Sequence, residues 1–169
     1  MRVTLRALTR HDVEAHNAGE DEQTVRWLTG GYGTVDSTTA HFDQLAANAR
    51  AGSGKQGFGV CLDGRLAGYV DCDPDAGDGL EPGDVNLSYA VHPWARGHGV
   101  AVEAVRLMCE YLREHRTGTR AAIRVDPDNQ ASVRVAEKSG FTYVRDFTSG
   151  TDKQPDGTPL TMRLYVHAL

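Results

Sequence analysis

Two hydrophobic periods alternate along the chain and predict the order of its helices and strands. From Val100 onward, apolar residues recur every three or four positions, which predicts an amphipathic helix packed on a sheet. Short alternating runs bounded by Gly, Pro and Asp predict strands. The predicted strands span Val3–Ala7, Phe58–Leu62, Leu66–Cys72, Val85–Val91, Ala121–Val125, Phe141–Phe147 and Leu160–Val166. The predicted helices span His11–Leu28 with a break near Gly19, Ser37–Ala51 with Ser37 as N-cap, Gly99–Arg116 and Asn129–Ser139.

The connections between these elements predict how the strands pair. A strand, a helix and a strand follow one another from Val85 to Val125, and such a unit requires a parallel pair with a right-handed crossover. The dipeptide Asp63-Gly64 between two strands instead predicts an antiparallel hairpin. We therefore expect one α/β domain over residues 1–169, with a mixed, mostly antiparallel sheet, a central parallel pair and helices on both faces.

Composition narrows the class of protein. The chain has 169 residues and a formal net charge of −5, and such an acidic balance disfavours nonspecific binding of nucleic acid. No apolar run is long enough to span a membrane and the N-terminus lacks the apolar stretch of a signal peptide, so we expect a cytoplasmic protein. Three cysteines without C-x-x-C spacing, together with scattered histidines, predict neither a disulfide framework nor a metal site.

The stretch Arg96-Gly97-His98-Gly99-Val100-Ala101 is the most informative part of the sequence. It joins a predicted strand to the start of a predicted helix, where backbone N–H groups have no intrahelical partner. Gly97 and Gly99 allow a tight turn and a close approach to a ligand, and Arg96 adds charged donors. The stretch has neither the dinucleotide fingerprint nor the lysine of a P-loop, yet it predicts a pyrophosphate site.

Two motifs around this turn resemble those of a known enzyme family. The pattern R-x-x-G-x-A that starts at Arg96 is similar to the acetyl-CoA-binding motif of the GCN5-related N-acetyltransferase (GNAT) family. Further along, Asn129-Gln130-Ala131-Ser132 and a helix that ends in Gly140-Phe141 resemble the second motif of the family, N-x-x-[AS] followed by G-F. Within the family, the chain resembles the Rim-type branch of ribosomal-protein N-terminal acetyltransferases, which also has a serine at the position of Ser132.

The resemblance implies a fold, a cofactor and a set of contacts. In the family the two parallel strands, here Val85–Val91 and Ala121–Val125, splay apart, and the pantetheine arm of acetyl-CoA lies in the gap. The arm would hydrogen-bond to the backbone of Tyr89 and Val91, while Asn129 would contact a pantetheine amide, cap its own helix, or both. The residues expected to bind acetyl-CoA are Tyr89, Val91, Arg96, Gly97, His98, Gly99, Val100, Ala101, Asn129 and Ser132.

The catalytic groups follow from what the reaction needs, which is a proton acceptor for the amine and a proton donor for the thiolate. Many family members supply the donor from a tyrosine, but the matching position here is Ala136. We expect Ser132 to face the sulfur instead, with a purely structural role as a first-turn serine left open. For the base the sequence leaves three alternatives: a water held by Asn86, Asp84 itself, or Tyr89, which would otherwise border the sulfur.

These observations predict an acetyl-CoA-dependent N-acetyltransferase that acts by direct attack of a primary amine in a ternary complex. The expected acceptor is a protein or peptide N-terminus or a small-molecule amine, with no nucleic acid and no membrane as partner, and a homodimer stays open. Two alternatives remain, an acyl-CoA-binding sensor that has lost turnover and a transferase of a larger acyl group such as succinyl. The missing tyrosine gives the sensor some weight.

Overall fold

The computed structural model describes all 169 residues, and a seven-stranded sheet runs through its centre. The strands are β1 Val3–Ala7, β2 Gln56–Leu62, β3 Arg65–Asp73, β4 Asp84–Val91, β5 Arg120–Val125, β6 Thr142–Lys153 and β7 Pro159–Ala168. They lie in the order β1-β2-β3-β4-β5-β7-β6. Every neighbouring pair is antiparallel except β4 with β5, which is parallel. The predicted mixed sheet with one central parallel pair is confirmed.

Five helices flank this sheet. They are α1 Val13–Ala18, α2 Glu22–Thr24, α3 Val35–Ala51, α4 Val100–Glu114 and α5 Gln130–Lys138, and α2 continues directly into a π-helical turn, Val25–Thr29. The predicted break near Gly19 is confirmed, because α1 ends there. None of the helices combines the length and the apolar character that a membrane crossing requires.

The N-cap of α3 differs from the one predicted. Thr34, not Ser37, is the N-cap, and its Oγ1 accepts a hydrogen bond from the Ser37 amide at 3.1 Å. The Oγ of Ser37 in turn accepts from the Thr34 amide at 2.9 Å, which completes a capping box. The two residues occupy the two ends of one reciprocal motif, so the sequence prediction identified the right turn and assigned the cap to the wrong partner.

The two faces of the sheet carry different helices and different cores. On one face, α4 and α5 bury an apolar cluster that includes Val85 and Leu87 of β4 and Met108 of α4. On the other face, α1 and α3 pack against β2 and β3 around a smaller cluster that includes Phe42 and Tyr69. Because successive residues of a strand point to opposite faces, β4 presents its odd-numbered side chains to one helix layer and its even-numbered ones to the other.

The parallel pair is short, and its end positions the site. Asp84, Val85 and Asn86 of β4 pair with the first three residues of β5, and pairing stops there. The remaining residues of β4, up to Val91, keep only their antiparallel partners in β3. The edge of β4 that faces β5 therefore has no strand partner over its second half, and its half-buried backbone groups can hydrogen-bond to a ligand.

Candidate functional site

The turn between β4 and α4 presents a row of backbone amides without partners in the protein. Gly97 and Gly99 adopt left-handed conformations, with φ of +80° and +75°, and a Cβ at either position would meet no atom within 4 Å. Gly99 caps α4 without a side-chain hydrogen bond, and no turn or cap hydrogen bond is donated by an amide from Gly97 to Val102. These free N–H groups lie at the positive end of the helix dipole and form an anion site.

The guanidinium of Arg96 contacts two protein groups beside this anion site. Its Nη1 and Nη2 donate to the carboxylate of Asp21, and its Nε donates to the carbonyl oxygen of Val91 at 2.9 Å. The contact with Arg96 holds the pKa of the Asp21 carboxyl well below its usual range. The expectation that the Arg96 side chain supplies donors to a phosphate stays a prediction, since this structure directs the guanidinium to Asp21 and Val91. Through these contacts Arg96 links the N-cap of α2 to the end of β4.

A cavity of about 1110 Å³ opens where β4 leaves β5. It is lined by nine of the ten residues predicted to bind the cofactor, namely Tyr89, Val91, Arg96, Gly97, Gly99, Val100, Ala101, Asn129 and Ser132. The tenth, His98, is exposed beside the turn, and its Nδ1 lies 2.8 Å from the Arg96 carbonyl oxygen. The half-buried Trp27 adds a further wall. Ligand cavities are typically about 300–1,000 Å³, so this one has room for a cofactor and an acceptor together.

A pair of hydroxyl groups meets inside this cavity. The phenolic oxygen of Tyr89 lies 2.8 Å from Oγ of Ser132, in the first turn of α5. Asn129 is the N-cap of α5, as expected, and its Oδ1 accepts from the Ser132 amide at 3.2 Å. Burial raises the pKa of Tyr89 to about 12, so the phenol keeps its proton at neutral pH. The two hydroxyls can therefore pass a proton from one to the other.

Two of the candidate bases are occupied by arginines. Asp84 receives two hydrogen bonds from the guanidinium of Arg120, at 2.7 and 2.9 Å, and its side chain is fully buried at the start of β4. The parallel register places these two residues side by side, so Asp84 is held away from the cavity and cannot act as the base directly. Asn86 accepts from Nε of Arg124 at 3.2 Å and donates to Oγ of Ser88 at 3.3 Å, and it does not line the cavity either.

A buried polar cluster next to the cavity was not identified from the sequence as functional. Tyr69 donates a hydrogen bond of 2.8 Å to Oδ2 of Asp71, and Nε2 of His41 lies 3.2 Å from the same phenol oxygen. Nζ of Lys55 lies 3.8 Å from Oδ2 of Asp71. The sequence signal was available, because Asp71 is an acidic residue in the middle of a hydrophobic strand, where unpaired charge is costly.

The other candidate chemistries are a metal centre and a nucleophilic cysteine. No group of three or more His, Cys, Asp or Glu side chains is close enough together to hold a metal ion. The three cysteines, Cys61, Cys72 and Cys109, are all free and buried, and burial raises the pKa of the Cys72 thiol to about 12. A thiol with so high a pKa is a poor nucleophile at neutral pH, so covalent catalysis by Cys72 is not supported.

The site combines an anion site suited to a diphosphate with a gap between parallel strands suited to an extended arm. A family model described as an acetyltransferase (GNAT) domain matches residues 2–142. The chain belongs to this family. The family resemblance noted in the sequence is thereby confirmed.

Relatives of known structure share this fold at low sequence identity. The ribosomal-protein alpha-N-acetyltransferase RimL, solved with coenzyme A, superposes with a TM-score of 0.82 at 17% identity, covering 99% of this chain and 94% of RimL. RimJ of Mycobacterium smegmatis superposes with a TM-score of 0.80 at 21% identity, covering 98% of this chain and 81% of RimJ. The aminoglycoside acetyltransferase AAC(6')-Ib, solved with coenzyme A, superposes with a TM-score of 0.75 at 24% identity, covering 99% of this chain and 95% of AAC(6')-Ib. At these identities the superpositions show a shared fold.

A curated relative matches part of the sequence. YkkB of Bacillus subtilis strain 168 is 33% identical over 97 residues, which are 53% of this chain and 55% of YkkB. The chain thus spans about half the length of this relative. This match does not identify an acceptor amine.

Proposed function

We propose that this acetyltransferase acetylates a primary amine, either a protein or peptide N-terminus or a small-molecule amine, by direct attack in a ternary complex. The observation that carries the proposal is the hydroxyl pair of Tyr89 and Ser132 inside one cavity, between a free-amide anion site and the gap beside β4. Both a donor and an acceptor fit that cavity, so no covalent enzyme intermediate is needed. Holding two reactants in the right geometry supplies much of the rate by itself.

The residues present fit the cofactor. The amides from Gly97 to Ala101 suit a diphosphate, and the two left-handed glycines leave open space in front of them. The backbone of Tyr89 and the amide of Val91, which have no partner in β5, suit the amides of an extended arm, and Asn129 and Ser132 line the same cavity. Acetyl-CoA supplies, when bound, a thioester whose carbonyl carbon accepts the amine.

Ser132 and Tyr89 take the role of acid. The departing thiolate needs one proton, and Ser132 can donate it while receiving one from the phenol 2.8 Å away. The phenol is protonated at neutral pH because its pKa is raised to about 12. This pair substitutes for the tyrosine that many family members place at the position of Ala136, a residue that is fully buried here.

Asn86 takes a supporting role. Its amide links Arg124 to Ser88, and Ser88 lines the cavity. An uncharged amide cannot accept the amine proton, so its part is to hold Ser88, or a water beside it, in place. Activity on an amine still requires a proton acceptor elsewhere.

Similar proteins support two acceptor classes. RimL is described as acting on the alpha-amino group of a ribosomal protein, and AAC(6')-Ib as an aminoglycoside acetyltransferase. Trp27 and the neighbouring residues of the π-helical turn form a wall against which either kind of acceptor can lie. The proposed partner is accordingly an amine-bearing peptide or small molecule. The proposal depends neither on the expected cytoplasmic location nor on the homodimer that the sequence leaves open.

Thiol release tests the proposal directly. Purified protein is incubated with acetyl-CoA and a panel of N-terminal peptides, aminoglycosides and polyamines, free coenzyme A is followed with a thiol reagent, and products are weighed by mass spectrometry. We expect amine-dependent release and a product heavier by one acetyl group. Tight binding without release across the panel would support the sensor instead, and a product made only from succinyl-CoA would support the larger acyl group.

A further inference from the structure

The structure places a buried carboxylate one strand away from the cavity. In the register of β3 and β4, Asp71 lies opposite Ser88, and Asp73 lies opposite Asn86. Residues opposite each other in an antiparallel pair share a face of the sheet, so Asp71 and Ser88 are side-chain neighbours. Ser88 lines the cavity, whereas Asp71 is only 4% exposed behind it.

Only one of the two oxygen atoms of the Asp71 carboxylate has a hydrogen-bond partner. Oδ2 of Asp71 accepts from Tyr69 and faces Nζ of Lys55, but Oδ1 is buried and has no hydrogen-bond partner in the protein. A buried carboxylate oxygen without a partner is costly and therefore unusual. Oδ1 of Asp71 can take part in the reaction if a proton, a water or a substrate group reaches it.

The surroundings of Asp71 set its basicity. The charged and titratable groups facing it are Lys55 before β2, Tyr69 and Asp73 on β3, and beyond the phenol His16 on α1 and His41 on α3. From β4 it faces only Ser88, which is not titratable in this range. Burial raises the pKa of Asp71 to about 6, against the smaller lowering effects of Lys55 and the Tyr69 hydrogen bond. Asp71 is thus ionised at neutral pH and far more basic than an exposed aspartate.

We infer that Asp71 accepts, by way of Ser88 or a water beside it, the proton that the attacking amine releases. This inference rests on the proposed function. In the balanced step, the amine nitrogen forms a bond to the acetyl carbon and the carbon–sulfur bond breaks. The amine proton ends on Asp71, which becomes neutral. The thiolate takes a proton from the Ser132–Tyr89 pair, and this pair regains it from solvent when the cavity empties. Asp71 is a positioning and proton-holding residue, because Ser88 stands between it and the reacting atoms.

Tyr69 gives the proton a way out to solvent. Its hydroxyl group touches Asp71 on one side and the exposed His41 on the other, at 2.8 and 3.2 Å. Gly57 on β2 makes this arrangement possible, since a Cβ there would meet the Tyr69 oxygen at 3.0 Å and Leu45 at 2.7 Å. Through this hydrogen-bonded route, from the buried carboxylate to the surface imidazole, Asp71 loses its proton between turnovers.

A pH–rate profile tests the inference with an amine that the wild-type protein acetylates. For wild type, kcat/KM should fall below about pH 6, where Asp71 protonates. Asp71→Asn should lower kcat/KM at pH 7 by about 100-fold and lose that acid limb. Tyr69→Phe should lower kcat, because Asp71 loses its hydrogen-bonded route to solvent, and should move the acid limb to higher pH, because it removes a hydrogen bond that lowers the pKa of Asp71.

Controls separate a chemical role from a structural one. Asp75→Asn removes a carboxylate from the exposed loop after β3 and should match wild type throughout. Circular dichroism and acetyl-CoA affinity show whether Asp71→Asn is folded, and Tyr69→Phe gives an independent readout if it is not. An acid limb that stays in place in both variants overturns the inference and leaves the proposed function intact. A wild-type protein that acetylates no amine overturns both.

Discussion

The phenolic oxygen of Tyr89 lies 2.8 Å from Oγ of Ser132, although the two residues belong to β4 and α5 and are 43 positions apart. The contact closes the cavity where β4 and β5 no longer pair. It joins a residue predicted to border the sulfur with the residue predicted to face it. The acid function of the enzyme should therefore depend on a pair of hydroxyls and not on a single residue.

Removal of either hydroxyl tests this pair. Ser132→Ala should lower kcat by about 10–100-fold and leave acetyl-CoA affinity unchanged, because the hydroxyl matters only when the thiolate departs. Tyr89→Phe should lower kcat by a similar factor, and the double variant should be little worse than either single one, since coupled groups are not additive. Steady-state kinetics at saturating acetyl-CoA measures all three. Wild-type turnover in Ser132→Ala would remove Ser132 from the mechanism.

The anion site predicts a sharp effect at one glycine. Gly99→Asp should weaken acetyl-CoA binding at least about 100-fold in calorimetry, because it puts a negative side chain beside the diphosphate. Gly64→Asp is the matched control, since Gly64 also has positive φ and open space around it, but lies in the turn between β2 and β3. Both variants carry similar backbone strain. Equal affinities in the two would show that the diphosphate binds elsewhere.

The ion pair of Asp21 with Arg96 should stabilise the acceptor side of the cavity. Asp21→Asn keeps a side chain able to cap α2 but loses the charge, and should cost about 0.5–1 kcal/mol in free energy of unfolding because both side chains are about one-third exposed. Asp21→Ala loses the cap as well and should cost about 1 kcal/mol more. Urea unfolding measures both. Equal stabilities of the two variants would mean that the cap contributes nothing.

The buried His92 should make stability depend on pH. Its ring is 7% exposed and packs directly against Gly19, and burial lowers its pKa from 6.5 to about 4. Between these values the unfolded chain binds a proton that the folded protein does not, so stability is complete above the unfolded pKa and falls as the pH drops towards the folded one. His16 and His41 have lowered pKa values too and add to this slope.

The contribution of His92 is measured by difference. The free energy of unfolding of wild type should fall by about 1–2 kcal/mol more between pH 7 and pH 5 than that of His92→Gln, which cannot titrate. His11→Gln replaces an exposed histidine and should keep the wild-type slope. The comparison uses slopes and not absolute values, so a general loss of stability in His92→Gln does not affect it. Parallel slopes in all three proteins would contradict a neutral, buried His92.

Much of the fold could be predicted from the sequence because local signals and topology rules agree. The apolar stripe of α4 and the turn at Asp63-Gly64 determine their elements directly. The strand–helix–strand order then leaves only a parallel pairing for β4 and β5. Where a signal is shared by two residues, as in the capping box of Thr34 and Ser37, the sequence does not say which one caps.

The sequence predicts those parts of the site that are formed by backbone groups. The amides after Arg96 and the cap at Asn129 follow from local sequence, and both lie at the cavity. Side-chain partners distant in sequence do not follow. Nothing in the turn around Arg96 reveals that Asp21 will occupy its guanidinium, and nothing near Asp71 reveals that β4 will place Ser88 beside it.

A crystal structure with bound coenzyme A tests the central claim most directly. The account predicts the diphosphate within hydrogen-bond distance of the amides from Gly97 to Ala101, the pantetheine arm along the unpaired edge of β4, and the sulfur beside the hydroxyls of Ser132 and Tyr89. A diphosphate bound away from that turn, or a sulfur on the far side of the sheet from Ser132, would contradict it.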